Sequence, residues 1–113
     1  MIEAQLMAHI LDSLAHPYVF CDTQHVIRYM NRPALAHYGK RGGTALLGTD
    51  VLDCHNAASR VQMLEIFGRM ETDGLDEELI TDSARWRIYM RAVRDGEGGL
   101  LGYYERYEPP RGA

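Results

Sequence analysis

The chain has 113 residues and a mass of 12.8 kDa, with 46% hydrophobic and 25% charged residues, which is one domain's worth of polypeptide with enough apolar content for a core. That balance excludes a disordered tail, a collagen-like repeat and a coiled-coil rod. No apolar run approaches the roughly 20 residues that cross a bilayer, and a formal charge of −4 gives no electrostatic reason to bind nucleic acid or an acidic membrane.

The start, Met1-Ile2-Glu3-Ala4-Gln5, carries neither a basic region nor a long apolar one, so no secretory signal is expected. Cys21 and Cys54 are too few for a disulfide framework, which fits a reducing, cytoplasmic setting. Ile2, Leu6, Met7, Ile10, Leu11 and Leu14 recur at steps of three and four and predict a helix over 2–15, ended by His16-Pro17. Tyr18–Cys21 and Val26–Met30 read as a tight hairpin around the turn Asp22-Thr23-Gln24. Asn31 is a natural N-cap for a short helix with Pro33 in its first turn, stopped at Gly39. The stretch Leu46–Leu52 is short, apolar and broken by Gly48.

Asn56 caps the next predicted helix, with Val61, Leu64, Ile66, Phe67 and Met70 apolar and Gly74 closing it. Three antiparallel strands follow: Leu75–Thr81, Arg85–Val93 and Leu100–Tyr107. The middle one alternates cleanly, with Trp86, Ile88, Met90 and Ala92 on one face and Arg85, Arg87, Tyr89 and Arg91 on the other. Asp95–Gly99 is a hairpin connection, and Glu108-Pro109-Pro110 ends the sheet because proline cannot donate to a ladder. Eleven of the twelve basic residues are arginine; Arg85, Arg87, Arg91 and Arg94 are flanked by Asp76, Glu77, Glu78, Asp82, Asp95 and Glu97, which reads as an ion-paired sheet face.

The order predicts an α+β fold: a five-stranded antiparallel sheet with helices on one face, an N-terminal helix, and a hollow between sheet and helices. We read residues 1–113 as a single domain, with a helix at 2–15, a core at 17–108 and a tail at 109–113.

The element order and three local signatures resemble the PAS domain, a sensor module of bacterial signalling proteins. Val26-Ile27-Arg28-Tyr29-Met30-Asn31-Arg32-Pro33-Ala34 resembles the family's hydrophobic strand running into a capping Asn. Tyr38-Gly39 with Leu46-Leu47-Gly48-Thr49-Asp50-Val51-Leu52 resembles its glycine-bearing approach to the long helix. Tyr89-Met90-Arg91-Ala92-Val93-Arg94-Asp95 with Gly98-Gly99-Leu100-Leu101-Gly102 resembles its last hairpin. Within the family, Asp53-Cys54-His55-Asn56 is most similar to PAS domains with Cys-His at the start of the long helix. The resemblance implies a module that senses through a bound small molecule, pairs with a second copy, or docks a separate signalling protein; fold alone does not choose among these.

Residue chemistry narrows the choice. The flavin-binding members carry Asn-Cys-Arg-Phe-Leu-Gln where this chain has Asp53-Cys54-His55-Asn56, so a photoactive flavin is not expected. Oxygen-sensing members carry an iron-ligating His in the long helix; Met63 stands at the matching place, and heme through Met63, Cys54, His55 or His37 stays open. Neighbours such as Cys54 and His55 diverge along the backbone, which argues against a nucleophile with its base. The five His and two Cys show no paired metal-ligand spacing. We therefore expect no enzyme, no catalytic residue and no metal site.

If the apolar faces turn inward, a ligand pocket would be lined by Phe20, Ile27, Tyr29, Leu35, Val51, Cys54, His55, Met63, Phe67, Ile88, Met90 and Tyr103. The same residues would equally make a filled core. Ile2, Leu6, Ile10 and Leu14 give the first helix more apolar surface than a small sheet covers, which suggests a homodimer. The expected function is a cytoplasmic sensory module that dimerises, holds a small molecule in its core and signals through a separate protein. The alternative is a ligand-free docking domain.

Overall fold

The structure is a computed structural model that describes residues 2–112. Five strands, β1 (Tyr18–Asp22), β2 (Ile27–Met30), β3 (Glu77–Asp82), β4 (Arg87–Arg94) and β5 (Leu100–Glu108), form one antiparallel sheet in the order β2-β1-β5-β4-β3. The α+β architecture is the expected one. Helix α1 (Ile2–Asp12) comes first, α2 (Arg32–His37) follows β2, and α3 (Ala57–Thr72) follows three 3-10 turns at Gly39–Arg41, Gly43–Leu46 and Val51–Cys54.

Both capping asparagines act as the sequence predicts. Asn31 Oδ1 accepts from the Ala34 amide at 3.1 Å and Asn56 Oδ1 from the Ser59 amide at 2.9 Å, each satisfying a donor that a helix start leaves free. Asn31 does more, because it is fully buried. Its Oδ1 also accepts from Tyr18 N, and its Nδ2 donates to the carbonyls of Leu11 and His16 at 2.9 and 3.1 Å. One side chain thus ties α1, β1 and α2 together.

That node also shortens the first helix. Asp12 accepts from the Arg32 amide at 2.9 Å and lies 2.8 Å from the Tyr29 hydroxyl, while Ser13 Oγ donates to the Ile10 carbonyl at 2.6 Å. These bonds turn the chain toward the sheet at Asp12, so the helix predicted to reach residue 15 ends three residues early and Leu14 is not on it. The Ile2 side chain lies outside the described residues.

On the inner face, Val19, Cys21, Ile27, Met30, Met90 and Tyr103 meet Met63, Ile66, Phe67 and Met70 of α3, all buried. Spacings of three and four make that stripe one helix face. Val61 and Leu64, apolar in the sequence, fall on the opposite side and are exposed. In β4 the alternation holds: Ile88, Met90 and Ala92 pair across to Tyr107, Glu105 and Tyr103 on the inner face. On the outer face Arg87 pairs with Glu108 and Arg91 with Glu77, while Arg106 reaches both Glu77 and Glu108; Arg94, at the end of β4, turns to the α3 side, where it meets Asp76 and donates to the Met70 and Leu75 carbonyls.

Gly102 of β5 stands across from Asp22 of β1. With φ at +151°, a β-carbon there would stand 2.1 Å from the Cys21 carbonyl oxygen, so only glycine fits.

Candidate functional site

The central strand β5 sends Tyr103, Glu105 and Tyr107 to the inner face, all three buried. Glu105 is the anomaly. Directly across from it stand Val19 on β1 and Met90 on β4, both apolar and buried. Its carboxylate therefore has no partner along the sheet, and among the described residues none donates to it; Oε1 is buried without any hydrogen bond. Burial pushes its carboxyl well above the usual range, offset only by the nearby His55.

Above Glu105 lie two adjoining hollows. The first, about 50 Å³, has walls of Val19, Ile27, Met30, Leu46 and Val51 and a rim of Cys54 and the exposed Arg41. The second, about 90 Å³, runs toward α3 between Met63, Ile88, Ile80 and Thr81, with Ser59, Gln62 and Tyr107 also on its wall. Tyr38, His55 and Glu105 line both. An apolar wall with a few converging polar groups is the common make-up of a small-molecule site.

The polar groups are set by local structure. The Val51–Cys54 turn, capped by Asp50 Oδ1 on the Leu52 amide at 2.9 Å, carries His55 at its end. His55 Nδ1 lies 2.8 Å from the Val51 carbonyl. A carbonyl only accepts, so Nδ1 carries a proton and donates this bond. Tyr38, at the end of α2, shares a hydrogen bond with Tyr107 of β5, hydroxyl to hydroxyl. Burial first, and then that pairing, holds the Tyr38 phenol above its ordinary range.

The residues expected to line the pocket divide three ways. Ile27, Val51, Cys54 and His55 lie on the first hollow, and Met63 and Ile88 on the second. Leu35, Phe67, Met90 and Tyr103 pack in the surrounding core. There the Tyr103 hydroxyl lies 2.8 Å from His25 Nδ1, and Phe67 sits edge-on to His25 with ring centroids 4.7 Å apart. Phe20 and Tyr29 are a correction. They face the opposite side of the sheet, in a groove of about 320 Å³ under α1 with Leu11, Tyr18, Val93 and Tyr104.

Phe20 faces outward by plain alternation with the buried Val19 and Cys21 of β1, and Tyr29 does so because of a bulge in β2. Cys21 pairs with Ile27 and Phe20 with Tyr29, so Arg28 is an extra residue and the side-chain alternation reverses after it. Strict period two from Ile27 would carry Tyr29 inward; the bulge sends it out and returns Met30 to the core. Glu105, Tyr38, Arg41 and Tyr107 were not foreseen as lining residues. Glu105 had a signal, since Tyr103 facing inward places the residue two positions on beside it.

Other chemistries find little footing. Among the described residues no group of three or more His, Cys, Asp or Glu stands close enough to hold a metal ion. His55 is hydrogen-bonded to Val51, and Cys54 is exposed on the surface. Cys21 is buried, which raises its thiol far above the ordinary range and leaves it protonated. No described helix is long and apolar enough to cross a membrane.

No protein-family model and no curated protein matches the chain. Solved structures do. A C-terminal domain from Streptococcus mutans superposes with a TM-score of 0.78 at 18% identity, covering 94% of this chain and 84% of that one. The PAS domain of a protein from Colwellia psychrerythraea gives 0.63 at 14%, covering 95% and 96%. The Aer2 receptor from Vibrio cholerae, a dual PAS-heme oxygen sensor, gives 0.63 at 15%, covering 84% and 94%. At these identities the likeness is one of backbone architecture, and by its sheet order, its N-terminal helix and its agreement with these structures the chain has the PAS fold.

Proposed function

We propose that this chain is a sensory module that holds a small molecule over the inner face of β5 and pairs with a second copy through α1. The observation that carries the first half is the pair of hollows meeting at Tyr38, His55 and Glu105. Pockets for drug-sized molecules run to roughly 300–1,000 Å³. Hollows of about 50 and 90 Å³ therefore suit a ligand of a few heavy atoms. A heme fits this space poorly, and a photoactive flavin lacks its Cys-containing motif.

The route outward is short. Val19 and Met30 wall the first hollow and pair with each other, and Asn31 follows Met30 and bonds to the end of α1 at Leu11. A ligand that alters how Met30 packs moves the anchor of α1, provided it binds the two packings with different affinity. On α1 itself Leu6, Met7 and Ile10 are exposed, which supports pairing of two copies. The output then passes to a separate signalling protein.

A second reading, a ligand-free docking domain, draws support from the smallness of the hollows. Native mass spectrometry of the full chain as purified separates the two. A dimer with added small mass is the expected result. A dimer of bare chains favours the docking domain, a monomer overturns the pairing through α1, and a heme mass redirects attention to Met63, Cys54 and His55.

A further inference from the structure

Every acidic side chain on the outer face of β3 and β5 that pairs finds an arginine: Glu77 has Arg91 and Arg106, and Glu108 has Arg87 and Arg106. On the inner face, Glu78 at the sheet edge meets Arg69 of α3 at 3.3 Å. Glu105, at the centre of the same face and only 5% exposed, meets none. A buried acid left without donors is costly to a fold, and such groups persist where something outside the chain completes them. Here the carboxylate opens onto the two hollows.

The neighbouring groups say what would complete it. His55 donates its Nδ1–H to the Val51 carbonyl, which fixes the ring at the edge of both hollows. The unpartnered Glu105 oxygen calls for a donor, and a ligand carboxylate beside it would add like charge. Ile27, Met30 and Val51 supply apolar walls for a short aliphatic body. Arg41, the one arginine on the lining among the described residues, is exposed at the rim, where solvent screens it.

We infer that the hollow selects a small organic cation, a protonated amine or amidine with a short aliphatic body, whose N–H groups pair with the Glu105 carboxylate. The inference rests on the ligand-holding reading above and gives it a chemical class. A charge-assisted hydrogen bond of this kind is short and strong, and an amidinium engages both oxygens at once.

The test titrates isobutylammonium and acetamidinium, with isobutanol and isobutyrate as neutral and anionic counterparts, into the 15N-labelled full chain. Amide resonances of Val51, His55 and Glu105 report the hollow. At least one cation is expected to shift them saturably, about tenfold or more tighter than isobutanol or isobutyrate. Glu105→Gln, which keeps the shape and removes the charge, should erase that preference while the spectrum stays folded and the thermal midpoint is unchanged or higher. Equal or tighter binding of isobutanol or isobutyrate in the hollow overturns the cation assignment and leaves the ligand-holding reading standing. Cation shifts that persist in Glu105→Gln also overturn the assignment. If none of the four probes moves these resonances, both the assignment and the ligand-holding reading fall.

Discussion

Among the described residues, Asn31 and Glu105 are the two polar residues with fully or nearly fully buried side chains, and the chain treats them in opposite ways. They are close: Met30, next to Asn31, pairs with Val19, which pairs in turn with Glu105. Asn31 spends both amide hydrogens and its oxygen on four backbone groups, one each from α1, β1 and α2 and one from the link at His16. Glu105 spends nothing on the chain. A satisfied buried polar group specifies geometry, whereas an unsatisfied one is a cost that the rest of the fold carries. The first region therefore reads as structure, and the second as a site.

The comparison can be broken most forcefully at Asn31. Asn31→Ala strands the Tyr18 and Ala34 amides and the Leu11 and His16 carbonyls, and should cost about 3–5 kcal/mol in urea unfolding. A loss under about 1 kcal/mol would mean that water replaces the side chain and that the node does not hold α1.

Glu105→Met should move stability the other way. Removing an uncompensated buried carboxyl while keeping the volume is expected to stabilise the ligand-free protein by about 1–2 kcal/mol at neutral pH. A destabilised variant would show that Glu105 has a partner within the fold.

The pH profile sharpens the same point. Glu105 holds its proton more tightly folded than unfolded, where its pKa is about 4.3. The folded state then binds more protons, so its stability falls as pH rises above that unfolded value and levels off above the folded one. The groups facing it are His55 from the Val51–Cys54 turn, Tyr38 from α2, Tyr107 on its own strand and Arg41 at the rim. The advantage of Glu105→Met over the parent should accordingly grow from pH 4 toward pH 8 in paired urea curves. Glu77, held low first by its bond to Arg106, contributes stability that is lost on acidification in both proteins, so it cancels in the difference. A pH-independent difference would place Glu105 in water.

The smallest effect lies outside both regions. Arg91→Ala removes an exposed contact to Glu77 at 3.5 Å and should change stability by about 0.5 kcal/mol or less. A loss as large as that of Asn31→Ala would show that the arginine-rich face, instead of the Asn31 node, organises the sheet.

Much of the fold was legible because its signals are local. Asn31 and Asn56 precede apolar-periodic segments and β4 alternates strictly; each is settled by a few neighbouring residues, whereas the first helix stops at Asp12, short of Pro17, through bonds to Tyr29 and Arg32. The candidate site was less so. Ile27, Val51 and Ile88 were placed by alternation or by nearness to the long helix, and the hollows lie beside them. Tyr29 went astray because one extra residue, Arg28, reverses a period-two pattern without any change in composition. Glu105 is hidden from a sequence reading because a charged residue in a strand reads as solvent-facing unless the strand is known to be central and covered.

The sequence by itself determined the element order, the caps and the α+β class, since these follow from periodicity and from backbone groups that must be paired within a turn or two. Tertiary structure alone decided that β5 lies at the sheet's centre, which face Tyr29 takes, and that Val19 and Met90 flank Glu105. Those facts depend on which strands pair and in what register, and register is set by contacts between residues distant in the chain, such as Val19 with Glu105. A buried acid with no partner becomes visible only once its neighbours are known to be apolar.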